Sequence, residues 1–181
     1  MIIRETSIPG AKVVDLEEMT DERGFFARSF CRQEFAANGM NPDVVQCNVS
    51  FNRSRGTLRG MHSQAAGYQE DKLVRCTSGA IFDVIIDLRR DSPTFLKHLA
   101  IELSADRRTA LYVPKGMYHG FLTLTDDVEV FYQMSEFYVP NQARGYRYDD
   151  PAFGIDWPEK VTVISDKDAT YPDFSVPDRK G

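Results

Sequence analysis

The chain has 181 residues, 42% of them hydrophobic, which suffices for one core and a single domain spanning residues 1–181. A formal charge of -5 and a pI near 5.2 exclude the broad basic face that a nucleic acid or an anionic membrane requires, so any bound anion must be held by a local cluster of cations. No run of about 20 apolar residues is present, and the opening Met1-Ile2-Ile3-Arg4-Glu5 has neither a signal h-region nor an Arg-rich transit pattern, which points to a soluble, cytoplasmic protein.

In chain order, short runs of period-two alternation recur at residues 12–16, 25–30, 44–50, 57–64, 72–76, 80–89, 99–103, 110–113, 119–124 and 128–134, with Gly, Pro, Asn and Asp between them. Many short strands separated by turn signals predict an all-β sandwich or barrel. In residues 80–89, Phe82, Val84, Ile86 and Leu88 share one face while Asp83 and Asp87 fall on the other. One helix is predicted over residues 31–38, capped by Ser29 and ended by Gly39. From Asn141 onward the composition turns to Asp, Pro, Tyr and charge, which reads as turns, a short helix and a tail packed on the barrel from about residue 165, with disorder expected from Ser175.

Leu58-Arg59-Gly60-Met61-His62-Ser63-Gln64, Lys72-Leu73-Val74-Arg75 and His119-Gly120-Phe121 place two of the three histidines, two arginines and a lysine on strand-like stretches. A purely structural strand rarely carries so much cationic and titratable chemistry. A histidine on a β-barrel raises the possibility of a cupin metal site, but Gln64 stands where an His-x-His pair needs its second ligand and His98 is isolated beside Lys97. Cys31, Cys47 and Cys76 match no zinc spacing and read as reduced, semi-buried fillers. Gly-x-Ser-x-Gly, GxGxxG and GxxxxGK[ST] are all missing, so the residues point to acid/base chemistry without metal or cofactor.

Taken singly, each residue also has a plain structural reading. His62 fits a hydrogen-bonded core histidine, His119 a buried polar strut, and His98 an exposed side chain. Arg59 and Arg23 fit partners for Asp83, Asp87 or Glu22, and Lys72 fits a strand lysine reaching solvent. Tyr132 and Tyr138 fit strand-end tyrosines, and Asp166 and Asp168 fit turn formers.

Eight motifs in order resemble the dTDP-4-dehydrorhamnose 3,5-epimerase family: Asp21-Glu22-Arg23-Gly24-Phe25-Phe26, Gln46-Cys47-Asn48-Val49-Ser50, the Leu58 to Gln64 segment, Lys72-Leu73-Val74-Arg75, Gly79-Ala80-Ile81-Phe82-Asp83-Val84, Asp87-Leu88-Arg89, Ser92-Pro93-Thr94-Phe95 and Ser165-Asp166-Lys167-Asp168. Each is weak alone; the ordered set is specific. The resemblance implies a cupin-like jelly-roll barrel and epimerisation of a nucleotide-diphosphate sugar, dTDP-4-dehydro-6-deoxy-D-glucose, at the C3 and C5 positions beside its 4-keto group. By the same resemblance His62 is the base, Asp168 its orienting carboxylate with Asp166 the alternative, Tyr132 the acid and Lys72 the cation at O4. Arg23 and Arg59 match the diphosphate clamp, Gln46, Asn48 and His119 match the nucleotide side, and Phe26 and Tyr138 match substrate contacts. The family's dimer, in which N-terminal strands cross between subunits, is implied as well.

Departures from the family pattern fall on substrate recognition. Arg28 stands at an expected glutamate, Ser63 replaces a tyrosine, Ala143 lies where an acid is usual, and Met117 and Tyr118 are bulkier than the residues common before this histidine. They leave open a sister epimerase with CDP or GDP specificity or single-centre action, and, from another class, a non-catalytic sugar-nucleotide-binding barrel.

Overall fold

In the computed structural model, which describes residues 1–175, the strands are β1 (Ile2–Glu5), β2 (Lys12–Asp15), β3 (Met19–Asp21), β4 (Gly24–Phe26), β5 (Gln46–Asn52), β6 (Leu58–Gln64), β7 (Lys72–Ser78), β8 (Ala80–Asp87), β9 (His98–Ser104), β10 (Ala110–Val113), β11 (Met117–Thr123), β12 (Val128–Met134) and β13 (Ala143–Gly145). Two short helices, α1 (Arg32–Ala37) and α2 (Asp166–Ala169), complete the elements. Strands β1, β3 and β13 fall outside the runs that the sequence pattern predicts.

Two sheets face each other, ordered β1-β2-β10-β7-β12-β5 and β13-β6-β11-β8-β9, and every neighbouring pair is antiparallel. This is the cupin-like sandwich that the sequence leads one to expect. Side chains from both inner faces, among them Val13, Val74, Cys76, Ile81, Ile85, Leu111, Phe121 and Val130, form the main core. The outer face of the six-stranded sheet is covered over β2, β10 and β7 by Phe35 of α1 and Met40 packing on Val14, Leu73 and Tyr112. On the outer face of the other sheet, Phe153 is buried against Met61, Val84 and Ile86, with Tyr146, Trp157 and Phe174 packed around it.

Strand β8 is therefore buried on both faces, and its two carboxylates are inside the protein with 0% exposure. Asp83 accepts from His119, while Asp87 accepts from Arg89, Ser92 and Thr94. Neither carboxylate pairs with Arg59 or Arg23. Helix α1 departs from expectation at its start: its N-cap is Cys31, which makes no side-chain capping bond, and Ser29 lies outside the helix. Gly39, with φ of 69°, follows the C-cap Asn38 in the left-handed region that glycine adopts without steric cost. The cysteines are unpaired, and Cys47 is exposed rather than semi-buried. His98 is half-buried, with Nδ1 2.9 Å from the Phe153 carbonyl oxygen. The disorder expected from Ser175 concerns residues that, past Ser175 itself, lie outside those described.

Strands β1 and β2 pair with each other, and β2 with β10, in the chain's own sheet. The segment without a partner sheet is the β3–β4 hairpin. It leaves Met19 59% and Phe26 68% exposed.

Candidate active site

Between β5, β7 and β12 of one sheet and β6, β11 and β13 of the other, the apolar core gives way to a cleft of two lobes, about 410 Å³ and about 320 Å³ in volume. His62, Lys72 and Tyr132 line both lobes, so the three residues stand at the waist of one continuous site. The first lobe adds Ser50, Arg59, His119, Phe121 and Val130. The second adds Gln46, Asn48, Ser63, Gln64, Glu70, Tyr138, Ala143 and Tyr171.

Strict alternation along β6 would place Arg59 and His62 on opposite faces. They line the same cleft because β6 carries an extra residue there: His119 pairs with His62 and Phe121 with Arg59, so three residues of β11 oppose four of β6. Glycine makes the bulge possible. A Cβ on Gly60, whose φ is 143°, would lie 2.6 Å from Gly120 Cα, and one on Gly120 would lie 2.8 Å from the Arg59 carbonyl oxygen.

His62 is fixed by the C-terminal segment. Asp168 Oδ1 lies 2.7 Å from His62 Nε2, and Asp168 Oδ2 accepts from the Gly60 amide at 3.2 Å. The short helix α2 holds Asp168 in place, since the N-cap hydroxyl of Ser165 accepts from the Asp168 amide. Asp166, the alternative, is exposed and does not approach the imidazole. Burial alone would raise the Asp168 carboxyl, but the bond and charge of His62 and the Gly60 amide outweigh it and hold the group below the usual carboxylate range. An ionised Asp168 accepts a hydrogen bond from Nε2–H of the neutral imidazole, which leaves Nδ1 as the basic nitrogen.

Two other site groups are each held by a carboxylate. His119 Nε2 lies 2.7 Å from Asp83 Oδ1, and Lys72 Nζ lies 2.9 Å from Glu70 Oε1. Arg59 differs, because Nε donates to Asn52 Oδ1 at 2.6 Å and an Nη to the Phe51 carbonyl at 3.4 Å, both neutral acceptors. Among the described residues no carboxylate pairs with it, which leaves its charge available to an anion in the first lobe. Tyr132 is half-buried, and burial raises its phenol, with nearby Glu70 adding to the rise and Arg59 opposing it, so it stays protonated near neutrality.

Gln46 and Asn48 bond to each other in the second lobe, where Tyr138, 52% exposed, forms the rim and its backbone amide donates to Gln46 Oε1. The sequence groups His119 with these two amides, whereas the structure places it in the first lobe beside Arg59. Arg23 and Phe26 are not brought to the cleft of their own chain. Arg23 is paired with Asp21 on the exposed hairpin, and Phe26 borders a separate hollow with Met1, Met19, Arg28 and Glu34. Arg28 is tied to Glu34 at 2.7 Å.

Sequence reasoning passed over Glu70 and Tyr171. Glu70 was legible, because alternation puts it on the same side of the chain as Lys72. Tyr171 carries no such signal: its ring lies edge-on to His62 at 5.8 Å between centroids and packs flat on Gly145, where a Cβ would be 2.3 Å from the ring. Among the described residues, no group of three or more His, Cys, Asp or Glu side chains is placed to hold a metal ion. No helix among them is long and apolar enough to cross a membrane.

The family model for dTDP-4-dehydrorhamnose 3,5-epimerase matches residues 5–175. The chain belongs to the dTDP-4-dehydrorhamnose 3,5-epimerase family. The epimerase of that name from Sinorhizobium fredii is 40% identical over 173 residues, covering 95% of this chain and 89% of its own. A dTDP-4-dehydrorhamnose 3,5-epimerase from Bacillus anthracis, solved with TDP and PPi bound, matches with a TM-score of 0.92 at 38% identity, covering 96% of this chain and 99% of that one. A 3'-monoepimerase from Streptomyces bikiniensis, solved with dTDP-quinovose, has the same fold with a TM-score of 0.86 at 34% identity, covering 94% of this chain and 86% of that one. Membership of the dTDP-4-dehydrorhamnose 3,5-epimerase family makes the chain an isomerase.

Proposed function

We propose that this epimerase inverts dTDP-4-dehydro-6-deoxy-D-glucose at C3 and C5, yielding dTDP-4-dehydro-L-rhamnose, with His62, Lys72, Tyr132 and Asp168 as the catalytic set. The observation that carries the reading is the convergence of His62, Lys72 and Tyr132 at the waist of one cleft, with the imidazole backed by a buried carboxylate. The 4-keto group makes the neighbouring C–H bonds acidic, so His62 Nδ1 removes a proton and the electron pair moves onto O4 as an enolate. Lys72 stabilises that oxygen, and Asp168 stabilises the imidazolium that forms. Tyr132 then donates its phenolic proton to carbon from the opposite face and is reprotonated from solvent, while the His62 imidazolium gives its proton back to solvent, completing the inversion. General acid and general base each contribute about 10²- to 10⁴-fold in such steps.

Arg59 holds the diphosphate, Gln46, Asn48 and Tyr138 border the nucleoside, and His119, fixed by Asp83, borders the first lobe. The remaining contacts come from a second copy of the chain, whose β3–β4 hairpin carries Arg23 to the diphosphate and Phe26 to the base. Two observations support a homodimer. The hairpin exposes aromatic side chains on its own chain, and the outer face of the edge strand β5 leaves Val49 60% and Phe51 51% exposed. The register places Val49, Phe131 and Arg75 in one row across that face, where the Arg75 Nε and one Nη are buried without a partner among the described residues.

Incubation with dTDP-4-keto-6-deoxyglucose in deuterated water, read by NMR, tests the reading. Deuterium at both C3 and C5 is expected, and no exchange at either carbon sinks it. A second reading, inversion at one centre only, is favoured by the 34% identical monoepimerase and by Arg28, Ser63 and Ala143 departing from the family pattern. Label at one carbon alone would select it.

A further inference from the structure

Glu70 and Lys72 form an ion pair at 2.9 Å with side chains only 5% and 13% exposed, inside the cleft that also contains Tyr132. A buried ion pair is held together only when its remaining polar atoms are satisfied. Here the second Glu70 oxygen accepts from Gln64 Nε2 at 2.9 Å, and the Gln64 amide is itself fixed, donating to the Tyr68 carbonyl and accepting from the Val139 amide. The residue between them anchors the backbone from the opposite side. Asp71 accepts from Tyr112 Oη and Asn41 Nδ2, both at 2.9 Å, and from Ser135 Oγ and the Lys115 amide, both at 3.1 Å. Successive residues of an extended chain point to opposite faces, so anchoring Asp71 on the outer face aims Glu70 and Lys72 together into the cleft.

We infer that Glu70 is a positioning residue for Lys72, holding the ammonium group at the waist of the cleft so that its free N–H groups meet the enolate oxygen as charge develops there. The inference rests on the proposed role of Lys72. A lysine side chain has many rotamers, and an unrestrained one would have to lose that freedom during the reaction. A carboxylate in the same cleft is otherwise unfavourable for an enolate, since its charge opposes the one that forms. Its direct contact with Lys72 and its lock on Gln64 make orientation the contribution that offsets this repulsion.

The test measures kcat, KM and deuterium wash-in for the wild type, Glu70→Ala, the isosteric Glu70→Gln, Lys72→Met and the Glu70→Ala/Lys72→Met pair, with dTDP binding recorded for each. Displacement of one catalytic group by about 1 Å costs on the order of 10²-fold, so kcat should fall about 10- to 100-fold in Glu70→Ala while KM and dTDP binding change less than about threefold. In the Lys72→Met background, removing Glu70 should lower kcat by less than about twofold, because a residue that acts through another has no effect once that other is gone. Glu70→Gln, which keeps the volume of the side chain, carries the same comparison if the alanine variant does not fold. An active wild type whose Glu70 variants retain kcat within about twofold, or lose the same factor with and without Lys72, overturns the inference and leaves the epimerase reading intact. A wild type that shows no exchange overturns both.

Discussion

Asp168 and His62 lie 106 residues apart in the chain and 2.7 Å apart in space, and the carboxylate that orients the imidazole also accepts from the backbone of the bulge that aims it. One side chain thus sets both the tautomer of His62 and the path of β6 beneath it. Asp168→Asn keeps the volume of the side chain and loses its charge, so the imidazolium is no longer stabilised. Wash-in of deuterium should fall about 10³-fold with dTDP affinity nearly unchanged. Calorimetric titration with dTDP alongside the NMR assay checks this; a loss below tenfold would remove the assigned role of Asp168.

Tyr132→Phe separates proton removal from proton return. His62 and Lys72 remain, so exchange of the substrate C–H with solvent should persist at a measurable rate while formation of the inverted product falls by about 10²-fold or more. NMR distinguishes label retained with the original configuration from label in the epimer. Equal loss of exchange and inversion would place Tyr132 in the first step instead.

Gly145 is the floor on which Tyr171 rests, and no side chain fits between them. Gly145→Val should push the Tyr171 ring toward His62, destabilising the protein by about 1–3 kcal/mol and lowering exchange as well. Urea unfolding and the exchange assay on the same preparation test both effects. Unaltered stability would show that β13 yields instead of the ring.

Asp87 links pH to stability. Burial works against its charge, but bonds from the Arg89 guanidinium and amide and from the Ser92 and Thr94 hydroxyls bring the carboxyl down to about 2. The folded value lies below the unfolded one of about 3.9, so the unfolded chain binds more protons in this range, and the stabilisation is present above pH ~4 and lost as pH falls toward ~2. Asp87→Asn should cost about 2 kcal/mol at pH 7, and the gap to the wild type should close by about that amount in acid. Urea midpoints measured from pH 7 down to 2 follow the gap; one that does not vary with pH contradicts the assignment.

If the hairpin serves a second copy, sites assembled from two chains should complement. His62→Ala and Arg23→Ala preparations should each be nearly inactive. Random reassociation of equal amounts should restore about a quarter of wild-type exchange, since half of the dimers are mixed and each mixed dimer has one intact site. No recovery on mixing would place Arg23 at its own chain's site.

Much of this protein was legible in the order of its residues. Ten of the thirteen described strands follow from alternation, a local property with a period of two. The chemistry followed from residue type, because an imidazole, a lysine and unmatched arginines on strands have few purely structural uses. Pairings between distant segments were not legible. Alternation assigns Arg59 and His62 to opposite faces, and only the bulge at Gly60, permitted by its close approach to Gly120, turns both into one cleft. Asp83 read as a partner for an arginine, and the register of β8 against β11 gave it to His119 instead.

The sequence by itself determined ten of the thirteen described strands and the family, since these depend on local pattern and on the identity of side chains. Only the tertiary structure decided that Asp168 rather than Asp166 reaches His62, that Arg59 meets neutral acceptors among the described residues, and that Arg23 and Phe26 stand away from their own cleft. Those outcomes depend on which segments the sandwich brings within hydrogen-bond distance, and a distance of about 3 Å between residues a hundred positions apart is a property of the packed chain as a whole.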